Sequence, residues 1–127
     1  MSKDYDKPSG EVEWNLSQAL IISISQLLDR ASRLFLAGDL INSFWSYREA
    51  KFQMIPSLNE EERTNMNNLE DQFLIKRKRT RLMTKEEYKR RLNQASQIYE
   101  TYRVNLMDLL KKYGFYISPK KDKTSIN

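Results

Sequence analysis

The sequence predicts an all-α fold, a single-domain antiparallel bundle of about four helices with a long C-terminal helix. Three observations predict it. Only 3 Gly and 3 Pro occur in 127 residues, too few for sandwiches, barrels or repeated βαβ units; average usage is about 7% and 5%. Apolar residues recur at steps of three and four almost throughout, the period of a helix with one buried face. Hydrophobic residues make up 39% and charged residues 31%, a balance that fits a folded helical protein rather than a disordered chain. The length suits one core, not two.

The first helix is expected from Leu16 to Ala37. Its stripe is Leu16, Leu20, Ile24, Leu27, Ala31 and Leu34, widened by Leu28 and Phe35. Asn15 is placed to cap it, with Gln18 at the capping-box position and Trp14 and Ala19 as a staple. Gly38 ends this helix and Asp39 caps the next, giving a tight reversal at Ala37-Gly38-Asp39. The second helix, Leu40 to Ile55, carries Phe44, Trp45, Tyr47 and Phe52, and Pro56 stops it. Ser57 or Asn59 caps a third, whose first turn Glu60-Glu61-Glu62 suits the positive end of the macrodipole. Its stripe is Met66, Leu69, Phe73 and Leu74, and it turns basic beyond Ile75.

Thr84-Lys85-Glu86-Glu87 is a capping box that opens the fourth helix, with Met83 and Tyr88 as staple. Tyr88, Leu92, Ala95, Tyr99, Tyr102, Leu106, Leu109 and Tyr113 then form an a/d heptad seam, sustained over more than three heptads. At 1.5 Å per residue the helix is about 43 Å long. Gly114 is placed as its C′ residue, with Phe115 folding back on Leu110 in a Schellman motif. The domain is therefore assigned to residues 14–117. Residues 1–13 form a polar N-terminal tail and 118–127 a basic C-terminal tail, both aperiodic.

Composition narrows the function. With no His and no Cys, the commonest general base, the commonest metal ligand, thiolate zinc sites and thiol nucleophiles are all missing. Glu60-Glu61-Glu62 and Glu86-Glu87 are sequence neighbours, which on a helix do not face one another, so they read as first-turn charges rather than an acid/base couple. There is no Gly-rich phosphate loop, Glu-x-x-His pattern or nucleophile elbow. The expectation is a protein that is not an enzyme and needs no cofactor, metal or small-molecule substrate. The longest aliphatic run, Ala19-Leu20-Ile21-Ile22, is far short of a span of about 20 residues. The N-terminal residues do not pattern as a signal peptide. A cytoplasmic setting without membrane contact is expected.

Gly38, Asp39, Ser43, Phe44, Tyr47 and Ala50, closed by Pro56, fall in the order seen in helical hairpins with a small residue, an aromatic, a Tyr and an Ala on the second helix. From Leu28 to Pro56 the chain resembles a tetratricopeptide or MIT-type hairpin. The resemblance implies an αα-hairpin and a peptide-binding groove. No second copy follows, whereas tetratricopeptide arrays need about three repeats to bury their faces.

The formal charge of +5 is unevenly placed. Residues 58–74 carry −4. Residues 75–91 carry nine cations, Lys76, Arg77, Lys78, Arg79, Arg81, Lys85, Lys89, Arg90 and Arg91, against Glu86 and Glu87, a net +7. That exceeds what the macrodipole at a helix C-terminus calls for. The strip needs something acidic opposite: phosphate backbone, an acidic protein surface, or the chain's own Glu60–Glu62 patch.

Two functions follow as expectations. The first is a small non-enzymatic adaptor or assembly protein that binds a protein partner or itself through helix–helix contacts. Its interface is Phe44, Trp45, Phe52, Tyr99, Tyr102, Tyr113 and Phe115, because the bundle needs only some of these aromatics and the far end of the long seam outruns its neighbours. The second is a nucleic-acid-binding accessory protein that sets Lys76 to Arg91 on phosphate backbone, with little base selectivity.

Overall fold

A glycine at φ +86° reverses the chain after its first helix. In this computed structural model the backbone of residues 2–116 and the side chains of residues 18–116 are described. Four helices follow in order among them, with no strand: α1 (Ser2–Leu36), α2 (Leu40–Met54), α3 (Glu60–Arg77) and α4 (Lys85–Lys112). A 3₁₀ turn (Ile55–Ser57) ends α2 where Pro56 blocks further α-helix. The helices pack as two hairpins, α1 on α2 and α3 on α4, joined by contact of α2 with α4.

The helix ends are built from local chemistry. Asp39 N–H donates to Leu34 O at 2.9 Å and Gly38 N–H to Phe35 O at 3.0 Å, a Schellman end to α1. Asp39 then caps α2, its carboxylate accepting from the Asn42 N–H at 3.2 Å. Asn59 and Glu62 form a full capping box on α3, and Thr84 and Glu87 another on α4. At the end of α4, Gly114 has φ +79° and Phe115 N–H reaches Leu110 O at 2.8 Å.

Two features differ from expectation. α1 begins at Ser2, so residues 2–13 are helical backbone rather than an aperiodic tail, and Asn15 lies inside the helix. Extending a helix already nucleated by packing costs little per residue, so the polar segment continues it. The tail at 118–127 lies outside the described residues. On α4 the buried series is Ala95, Tyr99, Tyr102, Leu106 and Leu110, with Leu110 in place of Leu109. A straight helix drifts by about 20° per heptad from a 3.5-residue repeat, and by the sixth turn that drift moves the seam over by one residue.

The core joins Ile24, Leu28 and Ala31 of α1 to Phe44, Tyr47, Ala50 and Met54 of α2, Met66 and Phe73 of α3, and the α4 series. Phe44 is its hub. Its ring lies 4.1 Å from that of Phe73 and 4.9 Å from that of Tyr102, centroid to centroid, offset aromatic contacts contributing roughly 0.5–1.5 kcal/mol beyond area burial. Ser43 lets the helices cross closely. Its hydroxyl donates to Ala31 O at 2.7 Å and lies 2.7 Å from the Tyr99 hydroxyl. With the serine proton engaged by the carbonyl, the tyrosine is the donor, and α1, α2 and α4 are tied through one side chain.

Candidate functional site

The seven aromatic candidates divide by burial. Phe44, Tyr99 and Tyr102 are in the core, which leaves them no free face for a docking partner. Tyr99 also stacks on Phe35 at 5.5 Å. Desolvation pushes its phenol up to about 12. Tyr113 and Phe115 are half-buried and pack on the core, so the end of α4 is covered within the chain. The Tyr113 hydroxyl donates to Glu62 Oε1 at 2.6 Å. Only Trp45, 38% exposed, and Phe52, 44% exposed, face solvent. Arg48 lies between them, its guanidinium carbon 5.2 Å from the Trp45 ring centre and 4.6 Å from that of Phe52. These three residues form an aromatic–cation–aromatic stripe on the outer face of α2.

Behind that stripe lies a polar cluster that sequence reasoning missed. Lys51 and Glu70 are 2% and 4% exposed and form an ion pair between α2 and α3. Lys51 Nζ also donates to Asn67 Oδ1 at 3.1 Å, Arg48 Nε to Glu70 Oε1 at 3.0 Å, and the Tyr102 hydroxyl to Glu70 Oε2 at 2.6 Å. Burial and the neighbouring carboxylate raise the Tyr102 phenol well above the usual tyrosine range. A signal for this cluster did exist in the sequence. Lys51 stands in the core register Phe44, Tyr47, Lys51, Met54, and Glu70 stands between Met66 and Phe73. One charge of each sign at a core position marks a buried pair. With Lys51, Glu70 and Tyr102 closed off from solvent, the cluster joins three helices.

The basic residues gather at one end of the bundle. Lys76 and Arg77 form the last turn of α3; Lys78, Arg79 and Arg81 lie in the connecting loop, and Lys85, Lys89, Arg90 and Arg91 on the first two turns of α4. Lys78, Arg79, Arg81, Lys85, Lys89 and Arg90 are exposed. Among the described residues none of the nine forms an ion pair. Arg91 closes the end of α3, Nη2 donating to Ile75 O at 2.8 Å, and Arg79 lies over the Tyr88 ring at 5.1 Å.

The acidic patch does not answer this charge. Glu60–Glu62 begin α3 and Lys76–Arg77 end it, about 21–26 Å apart at 1.5 Å per residue. Glu62 is held instead by Lys112 Nζ at 2.6 Å and by Tyr113. Those two hydrogen bonds, with the Asn59 N–H, pull its carboxyl down to about 2. Of the nearby acids, Glu87 is engaged at the Thr84 cap, which lowers its carboxyl below the ordinary range. Among the described residues the basic strip therefore has no ion-pair partner.

Three clefts border the cationic end: one of about 200 Å³, lined by Lys76, Glu87, Arg90, Arg91 and Gln94, and two that share Tyr88. Of those two, one, about 350 Å³, is lined by Arg79, Lys85, Glu86, Tyr88, Lys89 and Leu92. The other, about 390 Å³, runs past Arg77, Ile41, Tyr88, Leu92 and Ser96 to the α1–α2 turn. Among the described residues, no acidic cluster is placed to hold a metal ion. No helix among them is long and apolar enough to cross a membrane. The chain matches no known protein family model, curated protein or solved structure.

Proposed function

We propose that the protein is a non-enzymatic nucleic-acid-binding accessory whose working surface is the cationic end formed by α3, the 78–84 loop and the start of α4. The observation that carries this reading is the set of nine cations at one end without an ion-pair partner among the described residues, with the acidic patch at the other end of α3. Like charges held together are unfavourable until a polyanion neutralises them, and a phosphate backbone releases counterions as it does so. Contacts of this kind position a backbone and carry little base preference.

A gel-shift assay with single- and double-stranded oligonucleotides tests the reading. Charge reversal in Arg77→Glu/Arg79→Glu/Arg81→Glu is expected to abolish binding at moderate salt while the helical circular dichroism is retained. Unchanged binding by that variant would refute the reading, as would capture of polyglutamate in preference to nucleic acid.

A second reading, a protein-binding adaptor, is supported by the exposed Trp45–Arg48–Phe52 stripe, because Trp and Arg are over-represented among residues that dominate interfaces. It requires that Trp45→Ala/Phe52→Ala disrupt self-association or partner capture. Light scattering that finds a monomer, together with no partner in a pull-down, would count against it.

A further inference from the structure

We propose that Tyr88 is a stacking platform that makes the cationic end select single-stranded over double-stranded nucleic acid. This inference rests on the nucleic-acid reading above and names the form of ligand that the site takes.

Tyr88 is the one aromatic residue among the described residues placed within the basic strip. It is half-buried, and together with Leu92 it lines the two larger clefts of that end, so one tyrosine–leucine wall separates them. Each cleft brings its own arginine to that wall, Arg77 in one and Arg79 in the other. Lys85 and Lys89 stand on the Arg79 side with Glu86, and Asp39 stands on the Arg77 side, so cations outnumber carboxylates four to two. Volumes of about 350 and 390 Å³ lie within the roughly 300–1,000 Å³ of clefts that hold a small planar ligand. Elsewhere the tyrosines of α4 hold the bundle together: Tyr99 and Tyr102 are buried and Tyr113 is bonded to Glu62. For Tyr88 the structure gives a cation over the ring, Arg79 at 5.1 Å, as its polar neighbour.

An aromatic recessed between clefts, with arginines and lysines on its rim, matches what an unstacked base and its flanking phosphates require. A duplex keeps its bases stacked and presents phosphates alone. It can reach the exposed lysines and arginines but not the ring. The occupant is therefore a single strand whose base takes the place of the Arg79 guanidinium over the Tyr88 ring, with its phosphates on Arg77, the displaced Arg79, Lys85 and Lys89. Charge complementarity selects a nucleic acid, and the ring selects its single-stranded form.

Fluorescence anisotropy with the full chain tests this. The probes are labelled oligothymidylate and a labelled duplex, with wild type, Tyr88→Leu and Tyr88→Trp compared at one salt concentration. Tyr88→Leu is expected to lose roughly 5- to 150-fold of its affinity for the single strand and to hold the duplex as wild type does. Tyr88→Trp is expected to retain single-strand affinity, which separates loss of the ring from loss of the fold. Equal single-strand affinity of Tyr88→Leu and wild type would overturn the platform while leaving the phosphate-binding reading intact, and so would an equal loss on both probes. Wild type that binds neither probe, yet binds phosphatidylserine vesicles or polyglutamate, would overturn both.

Discussion

Removing Glu70 is the sharpest test of how the bundle is held. In Glu70→Leu, Lys51 keeps the Asn67 hydrogen bond at 3.1 Å and the Phe52 ring at 4.6 Å but no counter-charge, while its side chain stays 2% exposed. The Tyr102 hydroxyl loses its acceptor inside the core. Arg48, with a side chain 33% exposed, can turn to water and costs little. Breaking a buried pair by deleting one partner costs about 3–5 kcal/mol, and the orphaned hydroxyl falls within that range rather than adding fully to it. A domain of 127 residues is stable by about 6–19 kcal/mol at 0.05–0.15 kcal/mol per residue. A loss near 4 kcal/mol is therefore a large share of the total. With a urea slope of about 2 kcal/mol per molar, the midpoint falls by about 2 M. The triple variant Lys51→Met/Glu70→Leu/Tyr102→Phe removes both charges and the hydroxyl together, and is expected within about 1 kcal/mol of wild type, since well-packed apolar replacements of buried ion pairs are often neutral. Urea unfolding followed by circular dichroism reads both. A single variant within 1 kcal/mol of wild type, or a triple no more stable than the single, would refute the reasoning.

Three further outcomes follow from the helix ends and from the titrating groups. Gly38→Ala is expected to cost about 1–2 kcal/mol purely through its left-handed backbone, because an added Cβ meets no atom within 4 Å; thermal melts of Gly38→Ala and Gly38→Asn check it, with the asparagine variant the milder. At the acid side, the Glu62 carboxyl is depressed to about 2, so its stabilisation is full above the ordinary carboxylate range and is lost as pH falls from about 4.5 toward 2. Glu62→Gln should be the less stable protein at neutral pH, with the difference closing at acid pH. At the alkaline side, the Tyr99 phenol is raised to about 12, so stability is full below pH 10 and declines as pH rises through 10 to 12. The Tyr99 share of the tyrosinate absorbance, read as the difference between wild type and Tyr99→Phe, should therefore appear together with unfolding.

Local signals carried most of the fold. The Gly38 reversal, the Thr84–Glu87 box and the Gly114 end each involve residues within five positions of one another, so spacing alone identifies them. The αα-hairpin implied by the resemblance at Leu28–Pro56 is present as α1 on α2. What depended on distant partners was less legible. Lys51 and Glu70 are 19 positions apart, and on composition each passes as a surface charge; only the placement of both in core registers betrays the pair. The surplus of aromatics also looked larger than it is, because Phe44, Tyr99 and Tyr102 fill one shared core that forms only when both hairpins meet. The basic strip was legible as composition, but its lack of an ion-pair partner among the described residues was not. That required knowing that α3 separates the acidic residues from the basic ones by its full length, and that Lys112 and Tyr113 come round on α4 to take Glu62.

The central claim is that an end rich in cations, without ion-pair partners among the described residues, binds phosphate backbone, and the salt dependence of that binding tests it most directly. If between four and all six of the exposed residues Lys78, Arg79, Arg81, Lys85, Lys89 and Arg90 each neutralise a phosphate, log K for a single strand should fall against log salt with a slope between about −3 and −4, at roughly 0.7 per phosphate. A slope flatter than about −1, or no binding at about 50 mM salt, would contradict it.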